Sequence, residues 1–200
     1  MKLYLASGNT HKVQEFQALA DASGQGIEII SAKSIGGMPP VVEDAGTFVG
    51  NATKKARALK ALLSAEAWVL ADDSGLCVEA LGGAPGVESA YYAGPEGDSA
   101  ANLAKLVQTM REVPDNHRSA HFICVLVLID GAGREHVFEG RCDGRLLREP
   151  CGGAGFGYDP LFVPNGHEKS LAEMGEALKN QLSHRGRAWA LFGAEMKLCA

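Results

Sequence analysis

The chain has 200 residues, of which 46% are hydrophobic and 22% charged, so it is long enough to bury the core of a globular domain. Its net charge of -5 argues against a nucleic-acid polymer as partner, and no apolar run could span a bilayer. The five cysteines form no C-x-x-C pair, which argues against a disulfide framework or a zinc site and favours a reducing cytosol. Cys77 and Cys124 lie in apolar runs and are predicted to be small core residues.

Strands and helices alternate along the first half of the sequence, because apolar residues recur first at strand spacing and then at helix spacing. Asp130-Gly131-Ala132-Gly133 lies between two later strands and is typical of a hairpin turn. The pattern predicts an α/β fold with a mixed sheet. The predicted strands cover residues 3–6, 28–31, 68–71, 120–129 and 135–140, and the predicted helices cover about 10–22, 48–64, 101–110 and 185–196.

Two adjacent carboxylates, Asp72 and Asp73, follow the strand predicted at 68–71 and lead into a turn of small residues. Paired charges at the buried end of a strand are costly, and a divalent cation such as Mg²⁺, which prefers oxygen ligands, would offset that cost. Short aspartate side chains also cap turns well. From the pair alone, capping and catalysis are equally supported.

The segment Ser7-Gly8-Asn9-Thr10-His11-Lys12 joins the first predicted strand to the first helix. Gly8 lets a ligand approach the backbone, and Asn9 or Thr10 can cap the helix. Free N–H groups at the helix start attract phosphate, and Lys12 adds a mobile charge. The segment matches neither common phosphate-binding fingerprint, so read alone it is better explained as an ordinary capped turn.

A glycine-rich run from Gly152 to Pro160 surrounds two aromatic residues, Phe156 and Tyr158. Such a backbone can fold tightly beside a flat ligand. Phe156 could stack on a base, and Asp159 could accept a hydrogen bond from a ring N–H or hold the loop. The alternative, in which both aromatics pack into the core, is stronger for Tyr158 than for the whole run.

The start of the last predicted helix carries cations where the helix dipole disfavours them. Ser183 is a candidate N-cap, and His184 and Arg185 follow in the first turn. Because arginine can donate two hydrogen bonds to phosphate or carbonyl oxygens, a functional role is favoured for these two residues. Arg187 is better explained as a surface charge.

The sequence closely resembles the inosine/xanthosine triphosphate pyrophosphatase family, the house-cleaning nucleoside triphosphate pyrophosphohydrolases. The most specific motifs are Ala-Asp-Asp-Ser-Gly-Leu, Gly-Phe-Gly-Tyr-Asp-Pro and Ser-His-Arg-Gly. The matching segments keep the family's order and span nearly the whole chain. They cover residues 6–12, 48–56, 71–94, 153–160 and 172–186.

The resemblance implies a single domain over residues 1–200, with an elongated mixed sheet flanked by helices and two lobes around a central active-site cleft. It implies a homodimer that acts on a purine nucleoside triphosphate in the cytoplasm. The implied reaction cleaves ITP, dITP or XTP between the α- and β-phosphates, with Mg²⁺ as cofactor, and gives the monophosphate and pyrophosphate.

The resemblance also implies a role for each matching residue. Asp73 would bind metal and act as base for the attacking water. Asp72 would share the metal or orient Asp73, and Glu43 would be the other metal carboxylate, although Asp44 is adjacent. The triphosphate would be held by Ser7, Gly8, Asn9, Thr10, His11, Lys12, Lys55 and Ser74. The base would contact Phe156, Gly157, Tyr158, Asp159, Lys179, His184 and Arg185.

Two positions depart from the family pattern. Gly50 stands where the family usually has Glu, and Tyr91 stands where it usually has Arg. If the missing arginine contacts phosphate or supports the acidic pair, turnover would fall. Two other functions remain open: a pyrophosphatase for other modified nucleotides, and a non-catalytic module that senses nucleotides.

Overall fold

The computed structural model describes residues 1–153 and 155–198, which form six strands and five α-helices. Short 3-10 helices connect several of them. The strands are β1 (Lys2–Leu5), β2 (Glu28–Ser31), β3 (Trp68–Val78), β4 (Ser119–Ile129), β5 (Glu135–Leu146) and β6 (Phe162–Pro164). The helices are α1 (Thr10–Ser23), α2 (Phe48–Lys60), α3 (Ser99–Thr109), α4 (Glu176–Leu182) and α5 (His184–Leu198).

The six strands form one sheet in the order β2-β1-β3-β4-β5-β6. Strand β1 is parallel to both β2 and β3, with Leu5 opposite Ser31 on one side and Leu70 on the other. Strands β5 and β6 are antiparallel. The predicted mixed sheet of an α/β protein is therefore confirmed, and it arises because helices connect the early strands whereas a tight turn joins β4 to β5.

Asp130 explains why the β4–β5 turn forms where the sequence predicts it. Its carboxylate is almost fully buried and accepts hydrogen bonds from the backbone N–H groups of Ala132 and Arg134, at 2.8 and 2.9 Å. The Arg134 side chain also pairs with it, at 2.8 Å. These bonds favour the charged carboxylate and, despite burial, hold the pKa of Asp130 far below its usual range.

Several predicted boundaries were wrong. Helix α2 ends at Lys60 rather than at residue 64, because the chain turns there and leaves Leu62 60% exposed. Strands β3 and β5 both run further than expected, to Val78 and Leu146. Neither β6 nor α4 was predicted, since the first is only three residues long and the second only seven.

The chain divides into two compact units, here called unit 1 and unit 2. Unit 1 contains residues 1–73, 124–139 and 188–200, and unit 2 contains residues 74–123 and 140–187. Whether the units enclose a cleft, as the family resemblance implies, stays a prediction.

Unit 1 has a hydrophobic cluster on each face of its strands. One cluster joins Leu70 and Cys124 to Phe16 of α1 and Phe192 of α5. The other joins Val69, Ala71 and Val125 to residues of α2, such as Leu59. Because successive strand residues point to opposite faces, Leu70 belongs to the first cluster and its neighbours in β3 belong to the second.

Unit 2 is organised around a third cluster. Leu76 and Val78 of β3 pack there with Leu106 of α3, Phe122 of β4 and Phe162 of β6. The described cysteines, at 77, 124, 142 and 151, form no disulfide, and Cys199 lies outside the described residues. No helix in the described part of the chain is both long and apolar enough to cross a membrane.

Candidate active site

The acidic pair lies in the middle of β3, not in the turn that the sequence predicts. Aspartate, serine and glycine favour turns, but here the strand continues through them to Val78. Asp72 and Asp73 therefore project from opposite faces of the sheet. Asp72 continues the face that carries Leu70, and Asp73 continues the face that carries Val69 and Ala71.

Asp72 is held by partners on the α1 side. Its carboxylate is 1% exposed, pairs with the ammonium of Lys12 at 2.6 Å and accepts a hydrogen bond from the thiol of Cys124 at 3.2 Å. The prediction that Cys124 is a small core residue is confirmed by its burial. Its contact with Asp72 could not be predicted, because 52 residues separate the two in sequence.

Asp73 lies on the α2 side, where Lys55 connects it to Glu43. The ammonium of Lys55 is 2.7 Å from Asp73 and 2.9 Å from Glu43. Burial disfavours the charge of Lys55, but the carboxylates of Asp73, Glu43 and Asp72 together outweigh it, so the pKa of Lys55 is raised. Burial raises the pKa of Asp73 to about 6, although Lys55 opposes the shift.

Glu43 rather than Asp44 faces this site. Asp44 is largely exposed and pairs with Lys54 instead. Buried Asn51 of α2 fixes the segment that carries Glu43, because its side-chain oxygen accepts a hydrogen bond from the backbone of Ala45 at 3.1 Å. Asn51 is thus a positioning residue to which the sequence reading gave no role, although it lies within one of the segments that match the family.

The segment Ser7–Lys12 forms the predicted capped start of α1. Asn9 is the N-cap, and its side chain accepts hydrogen bonds from the backbone of His11 and Lys12. A Cβ placed on Gly8 would meet nothing within 4 Å, so the space beside the loop is open to a ligand. The ammonium of Lys33 donates to the Thr10 hydroxyl at 3.1 Å and adds a second cation that the sequence did not indicate.

In unit 2, Asp159 holds the glycine-rich loop, as one of the two sequence interpretations predicts. Its carboxylate accepts a hydrogen bond from the backbone of Phe156 at 3.0 Å and pairs with Lys179 at 2.9 Å. The backbone of Gly157 donates to the Ser99 hydroxyl at 3.1 Å, a contact that the sequence did not reveal.

Arg185 lies beside the half-buried aromatic ring of this loop. Its guanidinium carbon is 5.1 Å from the ring centre of Phe156, and the ammonium of Lys179 is 5.7 Å from the same centre. The guanidinium of Arg185 also donates to the hydroxyl of Ser74 at 3.0 Å. Phe156, Lys179, Arg185 and Ser74 are therefore brought together, as expected for a shared binding site.

Two residues that were predicted to contact the base, Tyr158 and His184, are buried and pack against other side chains of the protein. Tyr158 is 5% exposed in the core of unit 2, and its hydroxyl donates to the backbone of Ser89 at 2.8 Å. This agrees with the core alternative for Tyr158. The His184 ring is 5% exposed and stacks on Phe122, with ring centres 4.6 Å apart. Ser183 caps α5 as predicted, because its hydroxyl accepts from the backbone of Gly186.

The two departures from the family pattern differ in their surroundings. Tyr91 is 51% exposed and follows buried Ser89. Gly50 is enclosed: a Cβ there would lie 2.5 Å from the Cβ of Ala45 and 2.9 Å from the hydroxyl oxygen of Thr47. Any larger residue at position 50 would therefore press on the segment that carries Glu43.

We expect Gly50→Ala to destabilise the protein. Alanine gains up to about 1 kcal/mol over glycine in a helix, but overpacking costs roughly 1–3 kcal/mol. The cost of overpacking should exceed the gain in helix propensity, because the Cβ of Ala45 is fixed to the backbone and cannot rotate away. Urea unfolding should give a lower free energy of unfolding than for the unmodified protein.

Gly193→Ala in α5 is the matched control. A Cβ there would lie 3.4 Å from the flexible end of Gln25, so it should raise the free energy of unfolding by roughly 0.5 kcal/mol. Equal stabilisation by both substitutions would show that the segment before α2 adjusts without cost, contrary to this account.

The carboxylates on the α2 side fit a divalent cation. Glu43 and Asp73 already share one positive charge, that of Lys55. The second oxygen of Asp73 is buried and has no hydrogen-bond partner among the described residues. Across residues 1–153 and 155–198, no three His, Cys, Asp or Glu side chains group as a complete metal cage. Mg²⁺ is commonly held by one or two carboxylates plus substrate phosphates and water, which is the ligand set available here.

Comparison with known proteins identifies the family of this chain. A family model described as the Ham1 family matches residues 3–194. The chain belongs to this family. A dITP/XTP pyrophosphatase from Opitutus terrae is 64% identical over 194 residues, covering 95% of this chain and 96% of that protein. Another, from Leifsonia xyli, is 44% identical over 190 residues, covering 95% and 92%.

Solved structures of Ham1 proteins share the fold. The HAM1 protein from Coxiella burnetii has a TM-score of 0.85 and 35% identity, and 99% of each chain is covered. A nucleoside-triphosphatase, named dITP/XTP pyrophosphatase, from Mycobacterium abscessus has a TM-score of 0.75 and 40% identity, covering 96% of this chain and 98% of that one. The α/β fold is therefore that of the family.

Proposed function

We propose that this Ham1-family protein is a nucleoside triphosphate pyrophosphohydrolase that converts dITP, XTP and ITP to the monophosphate and pyrophosphate. The observation that carries the proposal is the pair of carboxylates, Glu43 and Asp73, that share one cation while an oxygen of Asp73 stays unpaired. The relatives named dITP/XTP pyrophosphatase, which match nearly the whole chain, support the substrate class.

Glu43 and Asp73 would hold Mg²⁺, since their carboxylate oxygens are the ligands that this ion prefers. When bound, the ion supplies charge neutralisation for the phosphates and lowers the pKa of a water molecule. Asp73 would also take a proton from the attacking water. Lys55 would then be released from the carboxylates to contact a phosphate oxygen. Asp72 stays a predicted metal ligand, and its contacts with Lys12 and Cys124 favour a supporting role.

The start of α1 would bind the triphosphate. The positive end of the helix dipole and the cation of Lys12 both favour an anion there. The open space beside Gly8 allows phosphate to approach the backbone closely. Ser7, Thr10 and His11 would add side-chain donors, and Ser74 would contribute its hydroxyl from the position directly after Asp73 in β3.

The residues around the glycine-rich loop would recognise the base. Phe156 offers a stacking face, while Lys179 and Arg185 offer donors beside it. A 6-oxo group accepts hydrogen bonds, whereas the 6-amino group of adenine donates them. ATP would therefore leave buried donors unpaired, and such mismatches can discriminate by several orders of magnitude.

The proposal is tested by a substrate panel. We expect kcat/KM for dITP, XTP and ITP to exceed that for ATP by at least about 10², the discrimination that unpaired polar groups can provide, and we expect activity to disappear when EDTA removes divalent ions. Preference for a modified pyrimidine triphosphate would support the alternative pyrophosphatase. Tight nucleotide binding with no turnover in Mg²⁺ would support the non-catalytic sensor.

Assembly and location are separate proposals. The family resemblance leads us to expect a homodimer, and sedimentation velocity would measure its mass. We also propose a cytoplasmic location, because the cysteine pattern favours a reducing compartment.

A further inference from the structure

A pocket lined by three arginines lies in unit 2 and shares no residue with the candidate active site. It has a volume of about 280 Å³ and lies between the end of α3 and the segment that follows β5. Its size is just below the range of about 300–1,000 Å³ that is usual for small-molecule sites, so any ligand would be small. The lining residues are Val107, Gln108, Arg111, Arg118, Arg148 and Glu149.

Arg118 places a buried positive charge in the wall of this pocket. It is 2% exposed, and its guanidinium donates four hydrogen bonds to backbone carbonyls but forms no ion pair with a described carboxylate. A guanidinium has five N–H groups, so one on Nη2 has no acceptor in the described part of the chain. The carbonyls orient Arg118 but carry no net charge, and no described carboxylate pairs with it directly, although the charge of exposed Asp115 acts on it from further away.

The other two arginines are available to a ligand. Arg148 is 55% exposed and pairs with exposed Asp115 at 2.9 Å, while Arg111 is 72% exposed and lies 3.8 Å from exposed Glu112. Such surface pairs contribute about 0–1 kcal/mol and are easily exchanged for another anion.

Like charges face one another across the pocket. Burial lowers the pKa of Arg118 and the positive charge of Arg148 lowers it further, whereas the negative charge of Asp115 opposes the shift. The hydrogen bonds of Arg118 explain how it stabilises the chain around Leu146. They do not explain why two further arginines line the same cavity, with Glu149 as the one acidic residue among the lining residues.

We propose that this arginine pocket binds a small phosphate-bearing anion. The planar guanidinium groups match the geometry of phosphate oxygens and can donate pairs of hydrogen bonds. An anion in the pocket would give Arg118 a directly paired counter-charge and would relieve the repulsion between Arg118 and Arg148. Glu149, which lines the pocket, lies three residues before Gly152, where the glycine-rich loop begins.

The test is a titration with inorganic pyrophosphate in EDTA, monitored by calorimetry and by the arginine Nε–Hε resonances in NMR spectra. Arg118 is left intact because its substitution would disturb folding. The variant Arg111→Gln/Arg148→Gln should weaken binding by at least about tenfold, the scale of lost hydrogen bonds to charged groups. The control Arg145→Gln/Lys169→Gln removes the same charge from exposed positions outside the pocket and should bind as the unmodified protein does.

A second control separates this pocket from the start of α1. Lys12→Gln should weaken only the binding of pyrophosphate at the start of α1, and the Arg118 resonance should shift on titration as it does in the unmodified protein. The proposal would be overturned if the Arg118 resonance does not shift at millimolar pyrophosphate, if both double variants weaken that shift equally, or if Lys12→Gln abolishes it. Citrate, a carboxylate anion of similar charge, should bind more weakly than pyrophosphate, and tighter citrate binding would overturn the assignment to phosphate.

Discussion

Asp73→Asn is expected to lower kcat for dITP by at least ~10², the scale of a lost acid–base group, while the protein stays folded. Asparagine keeps the size of the side chain but loses the charge that would hold the metal and the basic carboxylate oxygen that would take a proton from water. Glu43 remains within 2.9 Å of Lys55, so that buried ammonium keeps one anionic partner. The rate is measured by pyrophosphate release at saturating Mg²⁺, and folding by circular dichroism.

Asp44→Asn is the matched control, because Asp44 is adjacent to Glu43 but is exposed and pairs with Lys54. It should retain nearly full kcat. An unchanged rate in Asp73→Asn would mean that another carboxylate has the catalytic role. Equal losses in both variants would point to a general effect of charge rather than to a specific site.

Arg185→Ala is expected to reduce kcat/KM for ITP and XTP more than for ATP and so to narrow the discrimination between bases. Its guanidinium lies beside Phe156 and can donate to a 6-oxo group. Phe156→Ala should instead lower kcat/KM for all three nucleotides by a similar factor. Stacking is worth roughly 1–3 kcal/mol per base and does not depend on which base is bound. The three kcat/KM values are measured for each variant.

Arg187→Ala serves as the control for charge at the start of α5. Arg187 is exposed, and its guanidinium donates to the backbone of Arg141 at 2.7 Å, so its loss should leave the base preference unchanged. If Arg185→Ala lowers every value by one common factor, then Arg185 binds phosphate or supports the fold. In that case Lys179, His184 or backbone groups would recognise the base.

Local features of this protein could be predicted from the sequence. The caps at Asn9 and Ser183 depend on side chains two or three residues from the N–H groups that they satisfy. The β4–β5 turn likewise depends on Asp130 and the residues that follow it. Short-range hydrogen bonds of this kind leave a clear pattern in composition and spacing.

Long-range contacts could not be predicted in the same way. The segment after Ala71 has turn-forming residues, yet the strand continues because the carboxylates find partners on both faces of the sheet. Lys12 lies 60 positions before Asp72, and Cys124 lies 52 positions after it. A sequence pattern cannot reveal such pairs, so the separation of Asp72 and Asp73 onto different faces became visible only in the structure.

The most direct test of the account is the identity of the products formed from dITP in the presence of Mg²⁺. Cleavage between the α- and β-phosphates predicts equal amounts of the monophosphate and pyrophosphate from the first turnovers, measured by ion-exchange chromatography and ³¹P NMR. The same reaction with Asp73→Asn should form both products at least ~10² more slowly. Orthophosphate and the nucleoside diphosphate as the first products would contradict the proposed function.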